Sequence, residues 1–279
     1  AAAVPARADA SVGADQTFGS GGYRATALRA SAGVGESLYL APRARIYRSD
    51  SSGGTFVLVG LRLGYEEGPW SLGVEGAVQP KVAGYEKSAF GADAVHTFPR
   101  DHMEADAGAA VMGIRHEDEY AAAVPAAASG HGSGARRPGA ARSEALVVVQ
   151  ADVTAIAALR WPTAELSAEA TKSLYDRDLD AASARESQFL ELGGLDSIVQ
   201  GFPDTTLSIQ LRWKGFDRIK PYFSYTHTAF KLGASPSNGY EAGAKAKMNR
   251  ISLRAAYQLY VQNGYADRSY YTLGASLDF

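Results

Sequence analysis

The last ten residues, Tyr270 to Phe279, restrict the fold more than any other stretch. Tyr271, Leu273, Ala275, Leu277 and Phe279 are apolar, and Thr272, Gly274, Ser276 and Asp278 between them are small or polar. A period of two sends the two sets to opposite faces of an extended strand. About ten residues of such alternation is enough to cross a bilayer as a tilted strand. The decisive question is whether the rest of the chain repeats it.

Most of it does. Leu38–Tyr47, Phe56–Tyr65 and the run from Trp70 to Lys81 alternate, with Val57, Val59, Leu61 and Leu63 opposing Arg62 in the second. Val147, Val149, Ala151, Val153, Ala155, Ala157, Leu159 and Trp161 hold consecutive odd positions opposite Gln150, Asp152, Thr154 and Arg160. Glu165–Tyr175, Leu207–Lys214, Lys220–Phe230, Tyr240–Met248 and Ile251–Val261 complete the clear set. Ala8–Phe18, Tyr23–Val34, Ala89–Phe98 and Ala105–Ile114 are more weakly patterned. Gly, Pro, Asn, Asp and Ser clusters punctuate these runs as turns. The total is about 14 strands, within a range of roughly 12 to 16, and an even number is what a bacterial barrel requires.

Composition removes competing classes. Across 279 residues there is no cysteine, so disulfides, thiolate metal sites and thiol nucleophiles are absent together. A formal charge of −2 suggests no nucleic-acid partner. The most apolar stretch, Ala145 to Trp161, is broken by Gln150 and Asp152, which excludes a helical span. Ala1–Ala10 has no apolar h-region, so a signal peptide is expected to have been removed already, and residues 1–7 are expected to be a flexible N-terminus before a single domain over 8–279.

A chain that ends on an aromatic in register with its apolar face resembles bacterial outer-membrane β-barrel proteins, whose C-terminal signal has this form. The resemblance implies an all-β, transmembrane antiparallel barrel in the outer membrane. It also implies lipid and lipopolysaccharide around the barrel, and recognition of the C-terminal strand by the barrel-assembly machinery. Connection lengths agree with it: Glu66–Pro69, Pro162-Thr163, Gly215–Arg218 and Met248–Arg250 are short, and the long loops 121–143 and 180–203 fall at the other end. Trp70, Trp161, Trp213 and Phe279 all lie at the short-turn end, as one interfacial belt. Tyr23, Phe56, Tyr85, Phe90, Tyr120, Tyr175, Phe230, Tyr240, Tyr260 and Tyr265 are expected to form the second.

With the apolar face in lipid, the other parity lines the lumen. The expected basic lining is Arg43, Arg45, Arg62, Lys81, Arg160, Arg212, Lys214, Lys220, Lys245, Lys247, Arg250 and Arg254. Glu75, Asp106, Asp152, Glu165, Glu169 and Glu241 are the expected acidic lining. Closure is expected to gather Arg43, Arg45, Arg62, Lys245, Lys247 and Arg254 on one wall, opposite Asp152, Glu165 and Glu169. Charge arranged this way selects ions, and points to passive diffusion of small polar solutes with a mild anion preference. Pairing of the same charges across the lumen is the plainer reading.

Enzyme chemistry is not expected. Outer-membrane lipases and deacylases resemble one another in a strand-borne His-x-Ser pair; here the only such pair is His131-Gly132-Ser133 in a Gly/Ala-rich loop, and no serine follows His227 at that spacing. His116-Glu117-Asp118-Glu119 and Asp176-Arg177-Asp178 are acidic clusters that read as solvated loop charge before they read as divalent-ion sites. No cofactor or metal site is expected, and His96 and His102 read as ordinary surface residues. The alternative function is a non-conducting barrel that anchors an envelope complex. Phe189, Leu190, Leu192, Leu195, Ile198 and Val199 in 180–203 would then dock on a partner, and Ala242, Gly243, Ala244 and Ala246 would let another surface approach.

Overall fold

A computed structural model describes residues 10–50, 54–122, 142–177, 179, 187–192, 195–200, 202–231 and 235–279, with only the backbone at 118–122, 142–146, 187–192 and 195–200. Residues 1–7 and the centre of the 121–143 loop, including His131 and Ser133, lie outside the described residues.

The strands are β1 (Ala10–Gly19), β2 (Tyr23–Gly33), β3 (Leu38–Arg48), β4 (Phe56–Glu67), β5 (Trp70–Val82), β6 (Tyr85–Arg100), β7 (Met103–Ala122) and β8 (Arg142–Arg160). They continue as β9 (Ala164–Tyr175), β10 (Ser187–Leu192), β11 (Leu195–Gln200), β12 (Pro203–Trp213), β13 (Ile219–Phe230), β14 (Ser237–Met248), β15 (Ile251–Gln262) and β16 (Arg268–Asp278). All except β10 and β11 form one closed antiparallel barrel of 14 strands. Each strand pairs with its neighbour in the chain, and β9 passes over the small hairpin to pair with β12. The expected strand number and closure are therefore present.

Closure depends on the two ends of the sequence. β1 pairs with β16 from Ser11↔Asp278 to Gly19↔Tyr270, and the Phe279 amide donates to the Ala10 carbonyl at 2.9 Å. The weakly patterned first strand is thus fixed by the strongly patterned last one. Two weak strands prove longer than their sequence pattern suggests, because β6 begins at Tyr85 and β7 continues to Ala122. The 180–203 segment is not wholly irregular: β10 and β11 make a separate antiparallel hairpin, from Ser187↔Gln200 to Leu192↔Leu195.

The two faces differ as the alternation requires. Leu61, Val78, Val111, Leu253, Tyr271 and Leu273 are between 41% and 60% exposed although they sit within strands. Side chains of the other parity, such as Thr17, Gln79, Gln150, Thr228 and Thr272, are buried and polar. A soluble barrel would reverse this, because water-facing surface does not concentrate large aliphatics in a continuous band. Trp70, Trp161, Trp213 and Phe279 are exposed at 49%, 36%, 47% and 59% at the short-turn end, where Phe98 and Phe216 join them. His96 is not isolated there: its ring lies 4.5 Å from Trp70 and 4.4 Å from Phe98, so it belongs to this belt.

The second belt differs from expectation. Tyr23, Phe56, Tyr85, Phe230 and Tyr260 turn inward and form one buried cluster with Tyr47 and Tyr270. Their height along the strands was right, but their parity is that of the inner face: Phe56 is even-numbered in a strand whose exposed residues, Val57 to Leu63, are odd. Phe90 and Tyr240 do remain outside, exposed at 68% and 40%, together with Phe18 at 45%. Gly243 is also on the inner face, in register with Tyr222, so it is not part of the small-residue outer surface made by Ala242, Ala244 and Ala246.

A charge on the outer face at mid-strand should therefore cost far more than one inside. Leu273→Arg is expected to lower stability by about 2–4 kcal/mol in vesicles, against less than about 1 kcal/mol for inward Ser167→Arg. Denaturant titration of the folded barrel in lipid measures both, and equal losses would contradict the assignment of faces.

Candidate functional site: the inner face of the barrel

Inward polar residues are first held by their own neighbours. Thr17 pairs with Thr272 at 2.9 Å, Thr154 with Thr171 at 2.9 Å, and Ser11 with Ser31 at 2.8 Å. Each joins two adjacent strands at one level, as opposite residues in an antiparallel ladder do. Close approach is made by glycine where a ring must lie flat on the wall. A Cβ on Gly64 would stand 2.1 Å from the Tyr39 ring, and one on Gly243 would stand 2.6 Å from Tyr222.

Above this wall stands a network of ion pairs. Arg43 reaches Glu75 at 3.4 Å, Arg212 reaches Glu165 at 3.3 Å, and Lys214 reaches the same carboxylate at 2.7 Å. Arg254 binds Glu241 at 2.7 Å and donates to the Tyr222 hydroxyl at 2.9 Å; Gln258 also donates to Glu241. Arg160 pairs with Asp106, which Thr97 also contacts at 2.9 Å. Lys247 meets Asp278 at 3.1 Å, and Arg45 donates to the Tyr23 hydroxyl at 3.3 Å. Asp152 accepts from Gln150 at 2.8 Å, whereas Glu169 is exposed with no ion pair among the described residues.

Several partners escape sequence reasoning. Arg62 grips Asp93 with both terminal nitrogens, one at 2.8 Å, and Arg29 meets Asp15 at 2.5 Å. Asp93, Asp15 and Arg29 lie in the weakly patterned β6, β1 and β2, where alternation alone does not mark the inward face. Among the described residues, the expected basic wall and the expected acidic wall are therefore each interrupted by charges of the other sign. Glu75, Asp93 and Asp15 stand among the cations of the first strands, and Arg160, Arg212 and Lys214 stand among the anions of β8, β9 and β12.

Lys81 also departs from its expected place. A register shift between Gln79 and Val82 adds a residue to β5, and Gln79 and Val82 both face inward, against Tyr47 and the aromatic cluster. A β-bulge of this kind resets the alternation. Lys81 falls on the outer side and meets Glu117 at 3.5 Å. The His116–Glu119 cluster is likewise divided. His116 is buried inside, with Nδ1 at 2.8 Å from the Tyr85 hydroxyl and Nε2 at 3.2 Å from Gln150 Oε1, while Glu117 points outward. The Gln150 carbonyl oxygen assigns the proton to Nε2, leaving Nδ1 to accept from Tyr85. No group of three metal-ligating side chains occurs among the described residues. His227 lies outward against Asn238 at 2.9 Å.

Toward the long-loop end the inner face becomes aromatic. Tyr23 and Tyr270 meet edge to face at 5.3 Å, Tyr47 stacks on Phe56 at 5.4 Å, and Tyr175 meets Phe202 at 5.4 Å. Tyr47, Phe56 and Phe202 are 2% or less exposed. The interior thus has two zones, charged in the middle and at the short-turn end, and lined by buried aromatics and their polar partners at the other.

No protein-family model and no curated protein sequence matches the chain. Solved structures do match its fold. A bacterial polysaccharide outer membrane secretin superposes with a TM-score of 0.51 at 9% identity, over 98% of this chain and 99% of its own. CdiB from Acinetobacter baumannii superposes with a TM-score of 0.53 at 9% identity, over 96% of this chain and 60% of CdiB. The chain has the fold of an outer-membrane β-barrel. At such identities the likeness extends to the architecture alone. The KdgM porin gives a TM-score of 0.42 at 5% identity, over 96% of this chain and 99% of that one.

In this outer-membrane barrel the Arg62–Asp93 pair ties β4 to β6 across β5. Removing one partner leaves a part-buried charge unmatched, so Asp93→Asn is expected to cost about 1–3 kcal/mol. The Arg62→Gln/Asp93→Asn double variant should recover part of that loss in a double-mutant cycle measured by unfolding in vesicles. Additive losses would show that the pair contributes no coupling.

Proposed function

We propose that this outer-membrane barrel is a porin-like channel for passive diffusion of small polar solutes, without catalysis and with a mild preference for anions. One observation carries the selectivity: Lys220, Lys245 and Arg254 stand side by side in register across β13, β14 and β15 on the inner face. Glu241 neutralises Arg254, but neither Lys220 nor Lys245 has an ion pair among the described residues. Most other inner charges are matched in pairs, and Glu169 and Asp152 are inner anions with no ion pair among the described residues, which keeps the preference small. A row of uncompensated like charges in a confined aqueous path is how pores favour the opposite sign.

The second reading is a non-conducting barrel that serves as an anchor or subunit of a larger envelope assembly. Burial of Tyr47, Phe56 and Phe202 favours it, because a packed inner belt narrows the long-loop mouth. The β10–β11 hairpin in the 180–203 segment is then the element that would meet a protein partner.

Planar-bilayer recording under a salt gradient separates the two. The porin reading expects discrete conductance steps and a reversal potential on the anion side. Lys245→Glu should move that potential toward the cation side. An inserted, folded barrel that passes no current would favour the anchor reading, and cation selectivity in the unmodified protein would overturn the anion preference.

A further inference from the structure

At the long-loop end of the β1–β16 seam the chain encloses a small cavity that the channel reading does not use. Its volume is about 280 Å³, and Tyr23, Tyr270, Tyr265, Ser20, Asp267 and Arg268 are among the residues that line it. That is below the roughly 300–1,000 Å³ of sites for drug-sized ligands, and suits a molecule of one ring. In an outer-membrane barrel this end faces the cell exterior.

The cavity is built before any ligand arrives. Two of its tyrosines, Tyr23 and Tyr270, are the edge-to-face pair, 3% and 4% exposed and held in the aromatic cluster, and they give it a fixed base. Its rim is made of two turns tied to one another. The Ser20 amide donates to the Ser269 carbonyl at 2.9 Å, and the Ser269 amide donates to Ser20 Oγ at 2.9 Å. The Asp50 amide reaches the Gly21 carbonyl at 2.9 Å, and the Tyr265 amide closes its own turn on the Gln262 carbonyl at 3.1 Å. A rim fixed by such bonds loses little freedom when a ligand binds.

The groups left over select the ligand. Asp267 is exposed and has no hydrogen bond or ion pair among the described residues, so its carboxylate offers acceptors only. Arg268, next to it in the chain, offers donors only. Their charges cancel within the lining, which gives a ligand of net charge no advantage. Tyr265 is 37% exposed, and the negative face of such a ring attracts polarised C–H groups. A sugar ring meets all three conditions: its hydroxyls both give and accept, it carries no charge, and one of its faces is made of C–H groups.

We propose that this cavity binds one neutral hexose unit at the long-loop mouth of the barrel, with Asp267 and Arg268 on its hydroxyls and Tyr265 on its C–H face. The site is independent of conduction, since a non-conducting barrel would carry it equally.

The test is saturation-transfer NMR on the folded barrel in deuterated detergent. Methyl glucoside and methyl galactoside are the probes, with phenylalanine and choline as zwitterionic and cationic controls. Transfer to the ring protons of at least one hexoside should exceed transfer to either control about fivefold, and should fall about fivefold in Asp267→Asn and in Tyr265→Ala. Tyr257→Ala, which removes an exposed ring packed on Tyr271 away from the cavity, should leave it unchanged. The heat-modifiable gel shift confirms that each variant is folded. Transfer to the hexosides alone makes the occupant a free sugar; transfer to a linear dextrin as well extends it to the end of a glycan chain. No transfer to either hexoside, equal transfer to the controls, or transfer unchanged in both cavity variants would overturn the proposal.

Discussion

Everything in this molecule depends on the hydrogen bonds between β1 and β16. In a bilayer core no water is available for an unpaired amide or carbonyl, and each one left open costs several kcal/mol. A sheet of 14 strands with free edges would present two rows of them; pairing from Ser11↔Asp278 to Gly19↔Tyr270 removes both. The closing strands are far apart in sequence, so this seam alone joins the two ends of the barrel sheet. The first strand, poorly patterned in itself, is held on one side by β2 and on the other by the last strand.

Once the ring is closed, each residue's environment follows from parity. Outward positions hold aliphatics at mid-height and tryptophans at the short-turn end; inward positions hold hydroxyls, amides and paired charges. Ion pairs such as Arg62–Asp93 and Arg254–Glu241 link adjacent or next-adjacent strands, and they stand where water can reach one side. The aromatic cluster does the opposite at the long-loop end, where Tyr23, Tyr47, Phe56 and Tyr270 pack ring on ring. One chain thus combines a charged middle with an aromatic inner rim. That contrast is why conduction and a structural anchoring role are the two functions worth separating.

How much of this was legible in the sequence depends on pattern strength. The run from Val147 to Trp161 fixes its face without help, as do Leu207 to Trp213 and Tyr271 to Phe279. Asp15, Arg29 and Asp93 were missed because their strands mix Ala, Gly and Ser on both faces. Lys81 was misplaced for a different reason. Parity counting assumes an unbroken ladder, and the extra residue between Gln79 and Val82 breaks it. His116 looked like part of an acidic loop cluster because β7 continues further than its apolar pattern does. The inward aromatics show the general limit: position near a strand end is readable, but which side of the wall a ring takes requires the register.

Because the chain contains no cysteine, single cysteines can be introduced along β16 and spin-labelled without background. Labels at Tyr271, Leu273 and Ala275 should be accessible to oxygen and shielded from a water-soluble nickel reagent in lipid vesicles, while labels at Thr272, Gly274 and Ser276 show the reverse. A residue-by-residue alternation of that kind is what a closed wall between lipid and water produces. Uniform access of the nickel reagent to all six positions would contradict it.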